Sequence, residues 1–161
     1  MRVGLLGIVP FAATFVAMLV NGWHSDKHGE RRWHSAVPMF IAAAGLLGLL
    51  GQFRSIHISL LFFTMVCLAY SYLPAFWAIP TEVLSQSAAA AAVGLINAVG
   101  SVAGFAGPYA FGYMHARTGS FSYGLGLMMA AAVAGGTFAL RIPRRDTERI
   151  KTRMEQAAEN G

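Results

Sequence analysis

The formal charges of this chain fall at a few points, and every gap between them is long enough to cross a membrane. Residues 3–25, 33–53, 55–81, 83–116 and 118–140 contain no Asp, Glu, Lys or Arg, which gives runs of 23, 21, 27, 34 and 23 residues. A hydrocarbon core about 30 Å thick needs roughly 20 apolar residues in a helix. The runs are continuously apolar and rich in Ala, Leu and Gly, without the alternation over roughly ten residues that marks a barrel strand. The pattern predicts an all-α integral membrane protein of five transmembrane helices, at 3–22, 36–53, 58–80, 88–113 and 122–141. Residues 1–142 would form the bundle and 143–161 a basic tail. The first run is longer than a signal-peptide core and lacks a small-x-small cleavage pattern, and four more runs follow it.

Composition narrows the class further. Hydrophobic residues make up 56% of the chain, charged residues 12%, and there is one cysteine, Cys67. An average soluble domain is about 25% charged. These values exclude a disordered chain and a disulfide scaffold, and argue against a soluble globular domain. The net charge of +5 does not point to nucleic acid, because only a short tail could bind it.

Basic residues orient the bundle. Lys27, Arg31 and Arg32 in the first loop lie on the same side as Arg141, Arg144, Arg145, Arg149, Lys151 and Arg153 near the C-terminus, whereas Arg2, Arg54 and Arg117 lie opposite. Nine against three places the first loop and tail in the cytoplasm and the N-terminus outside, as expected for a multi-pass protein of the inner (plasma) membrane. A cationic tail beside a bilayer also attracts anionic headgroups.

A few polar residues interrupt the runs. The third holds Tyr70, Ser71, Tyr72, Pro74, Trp77 and Pro80. Two prolines six apart should break its hydrogen-bond ladder twice. Tyr70 and Tyr72 read equally well as lining a substrate path or as packing, and Trp77 reads better as interfacial belt. The fourth run holds Asn97 and Ser101 among Gly94, Gly100, Gly104, Gly107 and Pro108. Gly100 and Gly104 form a GxxxG pair, so close helix packing is the plain reading of these glycines. A buried amide needs partners, which makes Asn97 and Ser101 candidates for a cavity. Pro10 and Thr14 in the first run read as a kink and a self-bonding hydroxyl.

No charged residue lies in the middle of a run, so the buried carboxylate of a proton-coupled carrier and the buried cation of an anion site are both missing. Glu82 sits just past the third run and reads as a gate residue or a cap of the fourth helix. His24, His28 and His34 raise a metal site, but Gly29 and the dense charge suggest a solvated loop, and no second cluster supplies ligands. No phosphate-binding loop or nucleophile elbow occurs. The reading is therefore no enzyme, no catalytic residues, no metal and no cofactor.

The segment Gly22-Trp-His-Ser-Asp26-Lys27-His-Gly29-Glu-Arg31-Arg32 resembles the G-x-x-x-D-[RK]-x-G-x-[RK]-[RK] signature of the major facilitator superfamily. Its glycines would permit a tight turn, and Asp26 would pair with cations or a helix N-terminus to latch a gate. The stretches HSDKHGERRWHSAVP, FWAIPTEVL, AAAAAVGLINAVGSVAGFAGPYAFGYM and TGSFSYGL are similar to the anion:cation symporter branch, and within it to transporters of tartrate, other sugar acids and aromatic acids. The resemblance implies helices eight to twelve of a twelve-helix, alternating-access symporter, with a small organic anion and a proton as its substrates. It further implies a missing N-terminal bundle, in the same or a separate chain. Three alternatives stand beside it: a truncated remnant that does not transport, a small membrane protein that packs with a partner bundle, and, least favoured, an integral-membrane metalloenzyme built on His24 and His28.

Overall fold

The computed structural model describes residues 2–51 and 53–142. The expected basic tail, 143–161, lies outside the described residues. Six α-helices follow in order: α1 (Arg2–His28), α2 (Arg32–Leu49), α3 (Ile56–Cys67), α4 (Leu73–Val83), α5 (Gln86–Thr118) and α6 (Ser122–Arg141). A 3-10 turn, Leu68–Tyr72, joins α3 to α4. No strand occurs among the described residues.

Four segments are long and apolar enough to cross a membrane: Leu6–His28, Ile56–Val83, Gln86–Thr118 and Ser122–Arg141. The second expected span, 36–53, is displaced. Its helix, α2, runs from Arg32 to Leu49, four residues earlier at each end. Arg32, His34 and Ser35 therefore fall inside a helix of 18 residues and dilute its apolar character. That helix is also the most enclosed, with Ser35, Ala36, Pro38, Ala42, Ala43, Gly45 and Leu46 buried.

The expected end of the first span also moves. Residues 24–28, read as a loop, continue α1 to His28. The helix stops where Gly29 adopts φ 60°. The Gly29 N–H then donates to the Asp26 carbonyl at 3.4 Å and the Glu30 N–H to the Ser25 carbonyl at 3.2 Å. These two bonds form a Schellman ending, which a left-handed glycine makes possible. Gly22 lies within the helix and makes no turn. A Cβ there would stand 3.1 Å from the Pro74 Cβ, so this glycine lets α1 approach α4.

The two expected breaks in the third span become one. Pro74 lies in the first turn of α4. Its ring cannot coexist with a bond to the carbonyl four residues earlier, and the preceding turn tightens to 3-10 geometry. Pro80 is instead carried inside α4, which continues to Val83.

Helix α2 is the centre of the bundle, with α6 on one side and α3 with the 3-10 turn on the other. Small residues set the spacing. A Cβ on Gly45 would lie 2.8 Å from both the Met65 Cβ and the Phe62 carbonyl oxygen, and one on Gly136 would lie 3.0 Å from the Phe40 ring. Helix α5 differs, since it meets only its chain neighbours α4 and α6. Ala89 is its one buried residue among those described. Nothing comes within 4 Å of a Cβ built on Gly94, Gly100, Gly104 or Gly107. The close packing expected of the Gly100–Gly104 pair thus has no counterpart inside the described chain.

A substitution pair tests this contrast. Gly45→Ala should cost about 1–3 kcal/mol by forcing α2 from α3, while Gly94→Ala should change stability by no more than about 0.5 kcal/mol. Thermal unfolding of the purified chain in detergent reads both. Equal effects would show that α2 and α3 do not meet at Gly45.

Candidate functional site

The strongest polar arrangement gathers where α1 ends, α2 begins and α4 passes. The Schellman ending turns the chain back within three residues, which brings Arg31 beside the last turn of α1. Arg31 Nη1 donates to Ser25 Oγ at 2.9 Å and to Asp26 Oδ1 at 2.5 Å. Nε and Nη2 both donate to Glu82 Oε1, at 3.0 and 2.6 Å. Ser25 Oγ donates onward to the Glu30 carbonyl at 2.8 Å. One guanidinium therefore joins α1, the turn and α4.

The two ion pairs are not equivalent. The Arg31 and Glu82 side chains are 15% and 30% exposed, whereas that of Asp26 is 70% exposed. A charge-assisted bond in the sheltered pair contributes about 1.5–3 kcal/mol, and the exposed one about 1 kcal/mol or less. Hydrogen bonding to Glu82 raises the Arg31 pKa above its ordinary value against the opposing effect of burial, and Asp26 adds to the rise. Glu82 thus serves as a tie. It does not cap α5, whose N-cap is Ser85.

The remaining residues of the expected loop motif fill smaller roles. Lys27 lies over the Trp23 ring, 5.2 Å from its centroid. Arg32 Nη2 donates to the Leu140 carbonyl, linking the start of α2 to the end of α6. Glu30, outside the expected set, accepts the Trp33 N–H at 2.8 Å and so satisfies a free donor at the start of α2.

Two further polar links were not assigned from the sequence. Asn21 Nδ2 donates to the His34 carbonyl at 2.8 Å and to the Ser71 carbonyl at 2.7 Å, tying α1 to α2 and to the 3-10 turn. Its signal was available as an amide one turn before the charged segment. His24 Nδ1 and His34 Nε2 lie 2.6 Å apart. Among the described residues no group of three or more His, Cys, Asp or Glu is placed to hold a metal ion.

The expected cavity residues are not brought together. Tyr70 is 63% exposed on the 3-10 turn, and Asn97 is exposed on α5, which does not touch that turn. Ser101 Oγ donates to the Asn97 carbonyl at 2.9 Å, within its own helix. Tyr72 is half-buried, edge-on to Phe76 at 5.6 Å. A cavity of about 390 Å³ lies between α1, α2 and the 3-10 turn, beside Asn21, His24, Trp33, His34 and Ser71. An apolar groove of about 720 Å³ separates α5 from α6 at Gly107, Pro108, Phe111 and Met128. Neither is lined by Tyr70, Tyr72, Asn97 or Ser101.

Comparison with known proteins adds the family. The model of the Major Facilitator Superfamily matches residues 1–159. A protein of Agrobacterium vitis named "Putative tartrate transporter" is 35% identical over 153 residues, covering 94% of this chain and 34% of the relative. A second of the same name from that organism is 38% identical over 138 residues, 83% of this chain and 32% of the relative. The inner membrane transport protein RhmT of Escherichia coli K12 is 35% identical over 155 residues, 89% of this chain and 34% of the relative. The chain spans about a third of the length of the curated relatives it matches. No solved structure matches it.

The unequal ion pairs give a test. Arg31→Ala should destabilise the purified chain by about 2 kcal/mol, because it strands the sheltered Glu82 carboxylate. Asp26→Asn should cost less than about 1 kcal/mol. The order is read from thermal midpoints in detergent, and the reverse order would remove Glu82 as the main partner of Arg31.

Proposed function

The chain belongs to the Major Facilitator Superfamily, and from that membership we propose that it forms the last five of twelve helices of a secondary transporter for small organic anions. Tartrate-like sugar acids and aromatic acids are the substrate class, and the coupling ion is a proton. The observation that carries this reading is the likeness, over 94% of the chain, to a protein named for tartrate. The mechanism is alternating access, in which two bundles rock about a site near the midplane.

In this reading the Arg31 joint is on the cytoplasmic side. Asp26, Arg31 and Arg32 hold the ends of α1, α2, α4 and α6 together while the gate is closed, and Lys27 adds positive charge on the same side. The exposure of Asn97 and Tyr70 is the state expected of groups that meet substrate and a second bundle. A preceding bundle, in the same or a separate polypeptide, covers the apolar length of α5, where Leu95, Val99, Val102 and Phe105 are 67%, 62%, 69% and 79% exposed. Gly100, Gly104, Gly107 and Pro108 provide its close-approach surface.

Uptake of labelled tartrate is the direct test. Cells producing the carrier with this chain as its C-terminal third should accumulate it as long as a proton gradient is present. In that carrier Asn97→Ala removes one uncharged hydrogen bond, worth about 0.5–1.5 kcal/mol, and should raise KM roughly two- to twelvefold at unchanged membrane abundance. Uptake no greater than in cells lacking the protein overturns transport, and an unmoved KM reduces Asn97 to packing.

Orientation has its own readout. A reporter active only in the periplasm should stay silent when fused after Gly161 and be active when fused at Arg54. The opposite pattern would place the Arg31 joint outside.

A further inference from the structure

The histidine contact at the end of α1 fixes its own protonation pattern. His34 Nδ1 lies 3.3 Å from Glu30 Oε2, a carboxylate oxygen that can only accept. Nδ1 of His34 therefore carries the proton, and in the neutral ring Nε2 is a lone pair. His24 Nδ1, 2.6 Å from that Nε2, must then be the donor. This leaves Nε2 of the exposed His24 as the position that takes up the next proton. His28 Nδ1 donates to the His24 carbonyl at 2.9 Å, so His28 is outside the chain of side-chain bonds, but its ring lies against that of His24 with centroids 4.1 Å apart.

Adding protons has opposite effects in sequence. The first enters at His24 Nε2 and leaves the His24–His34 bond in place as a charge-assisted bond, which is stronger than the neutral one. The charge can pass towards Glu30 by transfer of the bridging proton to His34 Nε2. A second proton puts N–H on both facing nitrogens, and a 2.6 Å contact between two donors cannot persist.

The groups around the pair bias it without supplying another acceptor. On α1 these are Lys27, which lies over Trp23, and His28. In the turn and on α2 they are Glu30, Arg31 and Arg32, and on α4 it is Glu82, already held by Arg31. Helix α6 brings Arg141, next to the Leu140 carbonyl that holds Arg32. The 3-10 turn presents Leu68 and Ser71 to the adjoining cavity, and α3 carries His57 in its first turn, at the other end of α2.

We propose that His24, His34 and Glu30 form a one-proton relay that binds the end of α1 to α2, tightens on the first proton taken up and opens on the second. The inference rests on the geometry of the joint and does not require the transport reading. It places a titratable device where two runs without Asp, Glu, Lys or Arg meet the charged turn, His24 at the end of the first and His34 at the start of the second.

The experiment is nitrogen-15 NMR of histidine-labelled full chain in lipid nanodiscs. At about pH 8, both His24 and His34 should be the Nδ1–H tautomer, with a coupling across the hydrogen bond between His24 Nδ1 and His34 Nε2. On acidification the pair should show two midpoints separated by about one pH unit or more. His34→Gln should abolish the coupling and leave His24 with a single midpoint, while His28→Gln should keep the coupling and two separate midpoints. The wild-type spectrum is decisive by itself. An Nε2–H tautomer at either ring, no coupling, or one shared midpoint overturns the relay, as does loss of the coupling in His28→Gln.

Discussion

The guanidinium of Arg31 sits in a three-residue turn and reaches Glu82, 51 positions away in the chain. With its bonds to Ser25 and Asp26 it fixes the last turn of α1, the first turn of α2 and the final turn of α4 against one another. The rest of the bundle depends on this joint because the uncharged spans contain no comparable electrostatic tie. Away from it, helices are held by shape: Gly45 against Met65 and Phe62, Gly136 against Phe40, Gly22 against Pro74. Such contacts are short-ranged and give no preference for register beyond their own fit. The ionic joint, placed at one end, supplies that register.

Polar satisfaction explains the second tie. The 3-10 turn before Pro74 frees backbone carbonyls that an unbroken helix would occupy, and a freed carbonyl in a low-dielectric setting needs a donor. Asn21 gives its amide to one of them, Ser71, and to the His34 carbonyl. The proline break and the asparagine thus form a pair, one creating the acceptor and the other filling it.

The sequence made some of this legible and concealed the rest for physical reasons. Charge spacing exposed the helices because the cost of placing ions in hydrocarbon is large and local, and the span at 122–141 coincides with α6. Near the charged turn the helices run past the apolar residues, α1 to His28 and α2 from Arg32, so charge does not mark their ends. Polar side chains can extend from a helix beyond an apolar slab, so α1 ends at the left-handed Gly29 instead. Asp26, Arg31 and Glu82 were visible as a motif plus an acid, but not as partners of one another. Nor was the dominance of Glu82 visible, since it depends on burial across 51 residues. Asn21, His24 and His34 act through contacts between helices, which periodicity cannot reveal. Asn97 and Tyr70 stood out only as polar residues in apolar runs, a signal that carries no direction in space.

Helix α5 has 33 residues, about 50 Å at 1.5 Å per residue. The hydrocarbon core it would cross is about 30 Å thick. A helix this much longer than its slab must lean or protrude. Its neighbours α1, α2 and α3 would resist leaning if they touched it, but α5 meets only α4 and α6. The contacts within this chain therefore leave the lean of α5 to its surroundings, the thickness of the bilayer and the bundle proposed to cover its apolar side.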